Sequence, residues 1–362
     1  MAAVGVALVV AAGFANQTWL DRHFLPSWFV PHPWYVAIES SVRATSAVIG
    51  AVLVFYVRPR AGLLITLSLT RAISIAIAVA LALVASELAL RRVHLRAAEW
   101  LAPSEEPLRQ PNQRLGWTFV PARSGQGAIG GRVIDYSFDS AGYRVRRPDE
   151  AVDPSQPAII CVGESVMFGE GLTWEESIPV QTAALLGIQS ANLAVHGFGT
   201  DQMYLRLETE LPHFRQPVAV VALFMTALFG RNLDDDRPHL APGLVWLPAQ
   251  DHGRLLSLGK LVVPYRKDET VARGVAMTRD ALGGIVRLAQ TRGAAALIVV
   301  PHFGVEDDAE RTIRREVLDE GQIPYVWVEI DDGWRLPRDR HPNAHAAHAI
   351  ALAVADRLRQ RE

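Results

Sequence analysis

Three short stretches of this 362-residue chain carry residue types that can do chemistry together. The first is "AIICVGESVMFGEG", residues 158–171, an apolar run that breaks off at Gly-Glu-Ser. The hydroxyl of Ser165 attacks a carbonyl well only when a base takes its proton and donors wait for the oxyanion that forms. A strand-to-helix turn meets part of that need. It exposes the hydroxyl and aims free backbone N–H groups at one point, while Gly163 and Gly169 make room beside it. The second stretch, "NLAVHGFGT", puts Asn192 inside an apolar run and Gly197 at its exit, where a glycine N–H can donate to an oxyanion. The third, "DRHPNA", sets Asp339 and His341 on one short loop, so that an imidazole can serve Ser165 while the carboxylate holds its other nitrogen. Each stretch alone has a plainer account: a serine after a strand caps a helix, a glycine makes a turn, and Asp-x-His pairs occur by chance in loops.

The elements around these stretches decide between the two accounts. Apolar, β-rich runs at 158–163, 190–195, 218–225, 294–300 and 325–330 alternate with helical patterns that end near glycine or proline. Continuous apolar strands separated by helices predict a parallel five-stranded sheet covered on both faces, a three-layer α/β domain. Ligands bind beyond the carboxyl ends of such strands. Ser165 follows the first strand, Gly197 the second, and the Asp339–His341 loop the fifth, so all three are expected at one edge. Cys161, the only cysteine, lies inside the first run and reads as a small core residue; it excludes an intramolecular disulfide and a cysteine-built metal site.

Half of the residues are hydrophobic and the net charge is −2, with no basic excess suited to nucleic acid. The apolar residues crowd before residue 96. Ala72–Leu90 has about the 20 apolar residues that a bilayer core of roughly 30 Å requires, and Arg91 and Arg92 follow it. Ala44–Val57 is short for a span unless extended through Glu39 and Arg43, and Met1–Ala15 is a third run without the basic start of a secretory signal. Trp19, Trp28, Trp34 and Tyr35 suit a membrane–water boundary. Two to three transmembrane helices are expected, three favoured, against the alternative of a buried hairpin. Arg58, Arg60 and Arg71 before the last span balance Arg91, Arg92 and Arg96 after it, so charge does not fix orientation; three spans with an inside N-terminus would put the large domain outside the cytoplasm.

Together the three stretches resemble the blocks of the SGNH, or GDSL-like, hydrolases. "VGESVMFGEGLTWEESIPVQTAALL" looks like the Gly-Asp-Ser block with Glu164 for the usual aspartate, "NLAVHGFGTDQ" like the second, and "DRHPNAHAAHAIALAVADRL" like the last. "NQRLGWTFVPARSG" and "YSFDSAGYRVRRP" resemble the lead-in of membrane-anchored members. The resemblance implies a flavodoxin-like SGNH domain over 151–362, behind a transmembrane region (1–96) and a linker and lead-in (97–150). It makes Ser165 the nucleophile, His341 the base, Asp339 its orienting acid, and the N–H groups of Ser165 and Gly197 oxyanion donors. The third block departs, since Ala227 and Leu228 stand where the family has Asn-Asp; Asn232 is the nearest substitute donor, and equally a loop or cap residue.

The implied activity is that of a membrane-anchored serine esterase or O-acyltransferase, acting on an O-acyl, plausibly acetyl, group of a glycan, lipid or small molecule. The alternative is a degenerate member that binds a glycan or membrane partner without turnover. No metal or organic cofactor is implied. The glycines lack the Lys-Ser/Thr of a P-loop and the Gly-x-Gly-x-x-Gly spacing of a dinucleotide site. The insertion at 231–270, with its acidic triplet Asp234–Asp236, is expected as a lid or a solvated loop.

Overall fold

The computed structural model describes residues 2–25, 32–57, 69–93 and 106–360. Trp28, Arg58, Arg60 and Arg96, used above for the boundary and orientation, lie outside them. The chain divides into two compact units: Met1–Leu95 with His252–Asp268, and Arg96–Asp251 with Glu269–Glu362. The second half of the insertion, His252–Asp268, thus groups with the N-terminal helices, where a lid or a solvated loop was expected.

In the first unit, α1 spans Ala2–Phe14, α2 Gln17–Phe24, α3 His32–Val52 with a wider turn over Leu53–Val57, and α4 Leu69–Leu90. Among the described residues two helices are long and apolar enough to cross a membrane, Pro33–Val57 and Ile73–Leu90, with mean hydropathies of 1.6 and 2.4. A third crossing among the described residues would require α1 and α2, bent by 99°, to act as one broken span. Alone, the 13 residues of α1 reach only about 20 Å at 1.5 Å per residue, short of the bilayer core. The α3 helix runs through Glu39 and Arg43, and each has a partner within the unit: Gln17 Nε2 donates to Glu39 Oε2 at 2.6 Å, and Arg43 Nε to the Ala12 carbonyl at 3.2 Å, while Glu39 Oε1 stays buried without a hydrogen bond among the described residues. Where α1 crosses α3 the backbones touch, since a Cβ on Gly5 would lie 2.7 Å from the Gly50 oxygen. Small residues permit such an approach between apolar helices.

The second unit opens with strands where a linker and lead-in were expected. A hairpin of β1 (Arg109–Asn112) and β2 (Gly116–Phe119) buries Trp117 and Phe119. Next come β3 (Ser124–Ile129), β4 (Arg132–Phe138) and β5 (Arg144–Val145), followed by the parallel strands β6 (Ala158–Val162), β7 (Gln189–Asn192) and β8 (Pro217–Leu223). A small hairpin, β9 (His239–Ala241) and β10 (Val245–Leu247), precedes β11 (Ala295–Phe303) and β12 (Tyr325–Ile330). The five apolar runs form the parallel core in the order β12-β11-β8-β6-β7. The sheet has eight strands, not five, because β5 pairs antiparallel with β7 through Arg144 and Asn192 and carries β4 and β3 beyond it.

The helices are α5 (Ser165–Phe168), α6 (Ile178–Leu186), α7 (Thr200–Glu210), α8 (Arg254–Val262, in the first unit), α9 (Asp268–Thr291), α10 (Asp308–Arg314) and α11 (Ala344–Arg359). Every residue of β6 is buried, as a sheet covered on both faces requires, and Cys161 lies in that core at 1% exposure. The order second-first-third-fourth-fifth reverses between β6 and β8, and crevices beyond the carboxyl ends of strands open at such reversals.

Candidate active site

The turn after β6 is set by its own sequence. Glu164 precedes α5 and caps it, its Oε1 accepting from Val166 N at 3.1 Å, and Gly169 closes the single turn in the left-handed region at φ 83°. Gly163 is required by space: a Cβ there would lie 2.3 Å from the Cβ of Met167. The carbonyls left open at the end of so short a helix are taken by Arg144, which donates to the oxygens of Phe168 (2.7 Å), Gly169 (2.8 Å) and Leu172 (2.6 Å). Asn192 Nδ2 adds a bond to Phe168 O at 3.2 Å. The Arg144 guanidinium is buried 4.8 Å from the Phe168 ring centroid and 5.0 Å from that of Tyr136, and burial pulls its pKa down to about 10, so it stays charged at neutral pH. Arg144 lies on β5, so the antiparallel extension of the sheet positions the serine turn.

The loop after β12 is equally determined. Leu336 N donates to His341 O at 2.8 Å and Asn343 N to Trp334 O at 3.1 Å, which closes the loop on itself. Asn343 caps α11, accepting from His345 N and Ala346 N at 3.0 and 3.1 Å. Within the loop Asp339 Oδ1 accepts from His341 N at 2.7 Å and lies 2.6 Å from His341 Nδ1, fixing the ring from two sides.

Ser165, His341 and Asp339 meet at the edge of the sheet. His341 Nε2 is 2.8 Å from Ser165 Oγ, completing a chain from hydroxyl to imidazole to carboxylate across 176 positions of sequence. Ser165 and His341 are 3% and 6% exposed, and solvent reaches the cluster through the partly exposed Asp339, Glu170 and Arg231. Two further carboxylates adjoin. Glu164 Oε2 accepts from Ser165 Oγ at 2.6 Å with Arg231 Nη1 3.5 Å away, and Glu170 Oε2 lies 3.4 Å from His341 Nε2.

Burial opposes a charge on His341, yet the hydrogen bond to Asp339 and the carboxylates of Glu170, Asp339 and Glu164 outweigh it and raise its pKa above the ordinary 6.5. Asp339 is likewise disfavoured as an anion by burial, but the His341 bond and neighbouring backbone N–H groups carry its pKa below the usual value. Burial raises Glu170, with His341 pulling the other way. His196, enclosed beside Glu170 between the rings of Phe119 and Phe168, is driven well below 6.5 by burial and by Arg109, and is neutral.

The N–H groups of Ser165 and Gly197 make no hydrogen bond among the described residues, and Gly197 holds φ 74°, in the left-handed region. Asn232 does not join them, a correction to its assignment as a donor. Its Oδ1 accepts from Thr200 N at 2.8 Å, and its Nδ2 donates to Thr200 Oγ1 at 3.0 Å and Thr278 Oγ1 at 2.8 Å. Both amide hydrogens are spent on the start of α7 and on α9, leaving none for a substrate. Glu170, His196, Arg231 and Arg144 were missed by sequence reasoning. The "FGEG" after the serine was the only local signal, for Glu170.

No family model matches the chain, and no curated protein matches it. Among solved structures, one described as a lipolytic protein of the G-D-S-L family from Desulfitobacterium hafniense aligns at 12% identity and a TM-score of 0.35, covering 56% of this chain and 98% of the other. One described as an arylesterase from Agrobacterium tumefaciens aligns at 18% identity and 0.34, covering 56% and 99%. A carbohydrate acetylesterase from Sinorhizobium meliloti aligns at 14% and 0.36, covering 57% and 100%. Likeness at this level leaves the chemistry to the geometry of the site itself.

Proposed function

We propose that the chain is a membrane-anchored serine esterase of the SGNH type that hydrolyses or transfers an O-acyl group, with Ser165, His341 and Asp339 as its triad. The observation that carries this reading is the unbroken hydrogen-bonded path from Ser165 Oγ through both ring nitrogens of His341 to Asp339 Oδ1. His341 Nε2 takes the hydroxyl proton as Oγ attacks the acyl carbon, and the N–H groups of Ser165 and Gly197 receive the oxyanion. Collapse breaks the ester C–O bond, the alcohol leaves with the proton from His341, and the acyl group stays on Ser165. Water or a second alcohol, deprotonated in turn by His341, then attacks the acyl-enzyme and restores the hydroxyl. Hydrolysis and transfer differ only in that last nucleophile.

The two apolar helices support a membrane anchor, and an anchored domain outside the cytoplasm meets O-acylated glycans and lipids of the envelope. The deciding experiment is turnover of a panel of short-chain and acetyl esters by the full chain in detergent, beside Ser165→Ala: full activity in the variant overturns the reading. A second reading, binding of a glycan or membrane partner without turnover, draws on the commitment of Asn232 to α7 and on the place of Glu164 as a rival acceptor for the serine proton. It is favoured if no ester is turned over while an acylated glycan binds equally to both proteins.

A further inference from the structure

The segment His252–Asp268 is fastened to the N-terminal helices at both of its ends. Glu87 is the one acidic residue of the apolar stretch Ile73–Leu90, and its carboxylate caps α8, with Oε1 accepting from Arg254 N and Oε2 from Leu255 N, both at 2.9 Å. At the other end Arg266 N donates to His23 O at 2.7 Å, His23 Nδ1 lies 2.6 Å from Arg266 O, and Arg22 Nε donates to Asp268 at 2.6 Å. Tyr265 stacks on His23 and Trp19, with ring centroids 5.2 and 6.1 Å apart, and meets the edge of Phe24.

Between these fastenings the segment turns apolar side chains outward. Leu256 is 52% exposed, Leu261 55%, Val262 71% and Val263 57%, and α8 buries no residue. Basic Arg254, Lys260, Arg266 and Lys267 are interleaved with them. Glu87 stands three positions before the end of α4, about 4.5 Å along the axis at the rise of a helix, and Arg91 and Arg92 follow directly. If α4 crosses a bilayer, its arginine-flanked end lies among the headgroups, and a helix whose first two N–H groups bind Glu87 starts at that depth.

We propose that His252–Asp268 is an interfacial membrane element, with Leu256 and Leu261–Val263 placed at the boundary between lipid headgroups and acyl chains. The chemistry fits one occupant: aliphatic side chains for the upper acyl region, Trp19 and Tyr265 for the aromatic belt, and cations for lipid phosphates. This rests on the reading of α4 as a span, and it gives His252–Asp268 a role at the membrane surface that is independent of turnover.

The test uses the full chain in phospholipid vesicles with single cysteines for an environment-sensitive fluorophore; Cys161, buried and with its thiol pKa raised by that burial, stays unlabelled. Leu256→Cys and Val262→Cys report the segment, and Ile77→Cys, within the apolar run of α4, reports the span. Lipids carrying a nitroxide near the headgroup or near the chain end supply the depth scale. Expected is stronger quenching by the shallow nitroxide at 256 and 262 and by the deep one at 77. Quenching at 77 with water-like, unquenched emission at 256 and 262 overturns the inference and leaves the span intact. Blue-shifted emission at 256 and 262 that neither nitroxide quenches shows protein cover, by a second copy or another part of the chain, and also overturns it. No quenching at 77 removes the span and the inference with it.

Discussion

The Ser165 hydroxyl has one hydrogen and two acceptors within reach, Glu164 Oε2 at 2.6 Å and His341 Nε2 at 2.8 Å. With His341 protonated, Nε2 donates to Oγ and the hydrogen goes to Glu164; with His341 neutral and Nδ1 protonated towards Asp339, Nε2 can draw it. Only the second state makes a nucleophile. Because the surrounding carboxylates raise the His341 pKa above 6.5, the neutral form is lost on acidification earlier than for an ordinary histidine, and the acid limb of kcat/KM should lie above that value. Glu170→Gln removes one of those negative charges, so a pH–rate profile on a neutral ester should show the limb moved to lower pH; an unmoved limb would mean that Glu170 does not act on His341. Replacing the chain members should be costly in kcat: about 10⁶-fold for Ser165→Ala or His341→Ala and about 10⁴-fold for Asp339→Ala, with melting temperatures near that of the parent. Ser165, Asp339 and His341 could be picked out from sequence because each sits at the end of an apolar run or the start of a helix. Glu170, His196 and Arg231 could not, because only folding brings them to the same edge.

At the scale of elements, Asn232 separates two roles that a sequence leaves equivalent. As the cap of α7 it satisfies Thr200 N and joins Thr278 on α9, so Asn232→Ala should cost about 1–2 kcal/mol of stability in denaturant titrations. Turnover should change by less than about tenfold, since loss of an oxyanion donor typically costs about 100- to 1,000-fold. A loss of that larger size without destabilisation would return Asn232 to the reaction. The five parallel strands were legible because strands buried on both faces are apolar without interruption. The extension β3–β5 was not: β3 alternates Gly with polar residues, β5 is two residues long, and the alternation along β4, itself a strand pattern, says nothing of which strand it pairs with. Yet β5 supplies Arg144, whose three bonds to the carbonyls behind Ser165 make the antiparallel strands part of the site. Arg144→Met should leave those carbonyls unpaired and destabilise the protein by about 3 kcal/mol or more, with kcat falling faster than KM rises, a split that steady-state kinetics on the folded fraction would measure.

Across the whole molecule, the boundary between the two units does not coincide with a single cut in sequence. A variant beginning at residue 97 keeps the sheet and the triad but leaves His252–Asp268 without Glu87, His23 and Trp19, which cap, bond and stack on it. Leu255 and Leu258, half-buried in the intact chain, would join Leu256, Leu261, Val262 and Val263 in facing water. A contiguous apolar surface of this kind drives association. The truncated variant should therefore elute as aggregates, whereas one that also replaces 252–268 by a flexible Gly/Ser linker of equal length should be monomeric by light scattering and keep the kcat/KM of the full chain on a water-soluble ester. A monomeric truncated variant with 252–268 intact would show that the segment needs no N-terminal partner. The two variants differ only where the insertion returns to the first unit, so the comparison assigns the difference to that segment and not to the sheet.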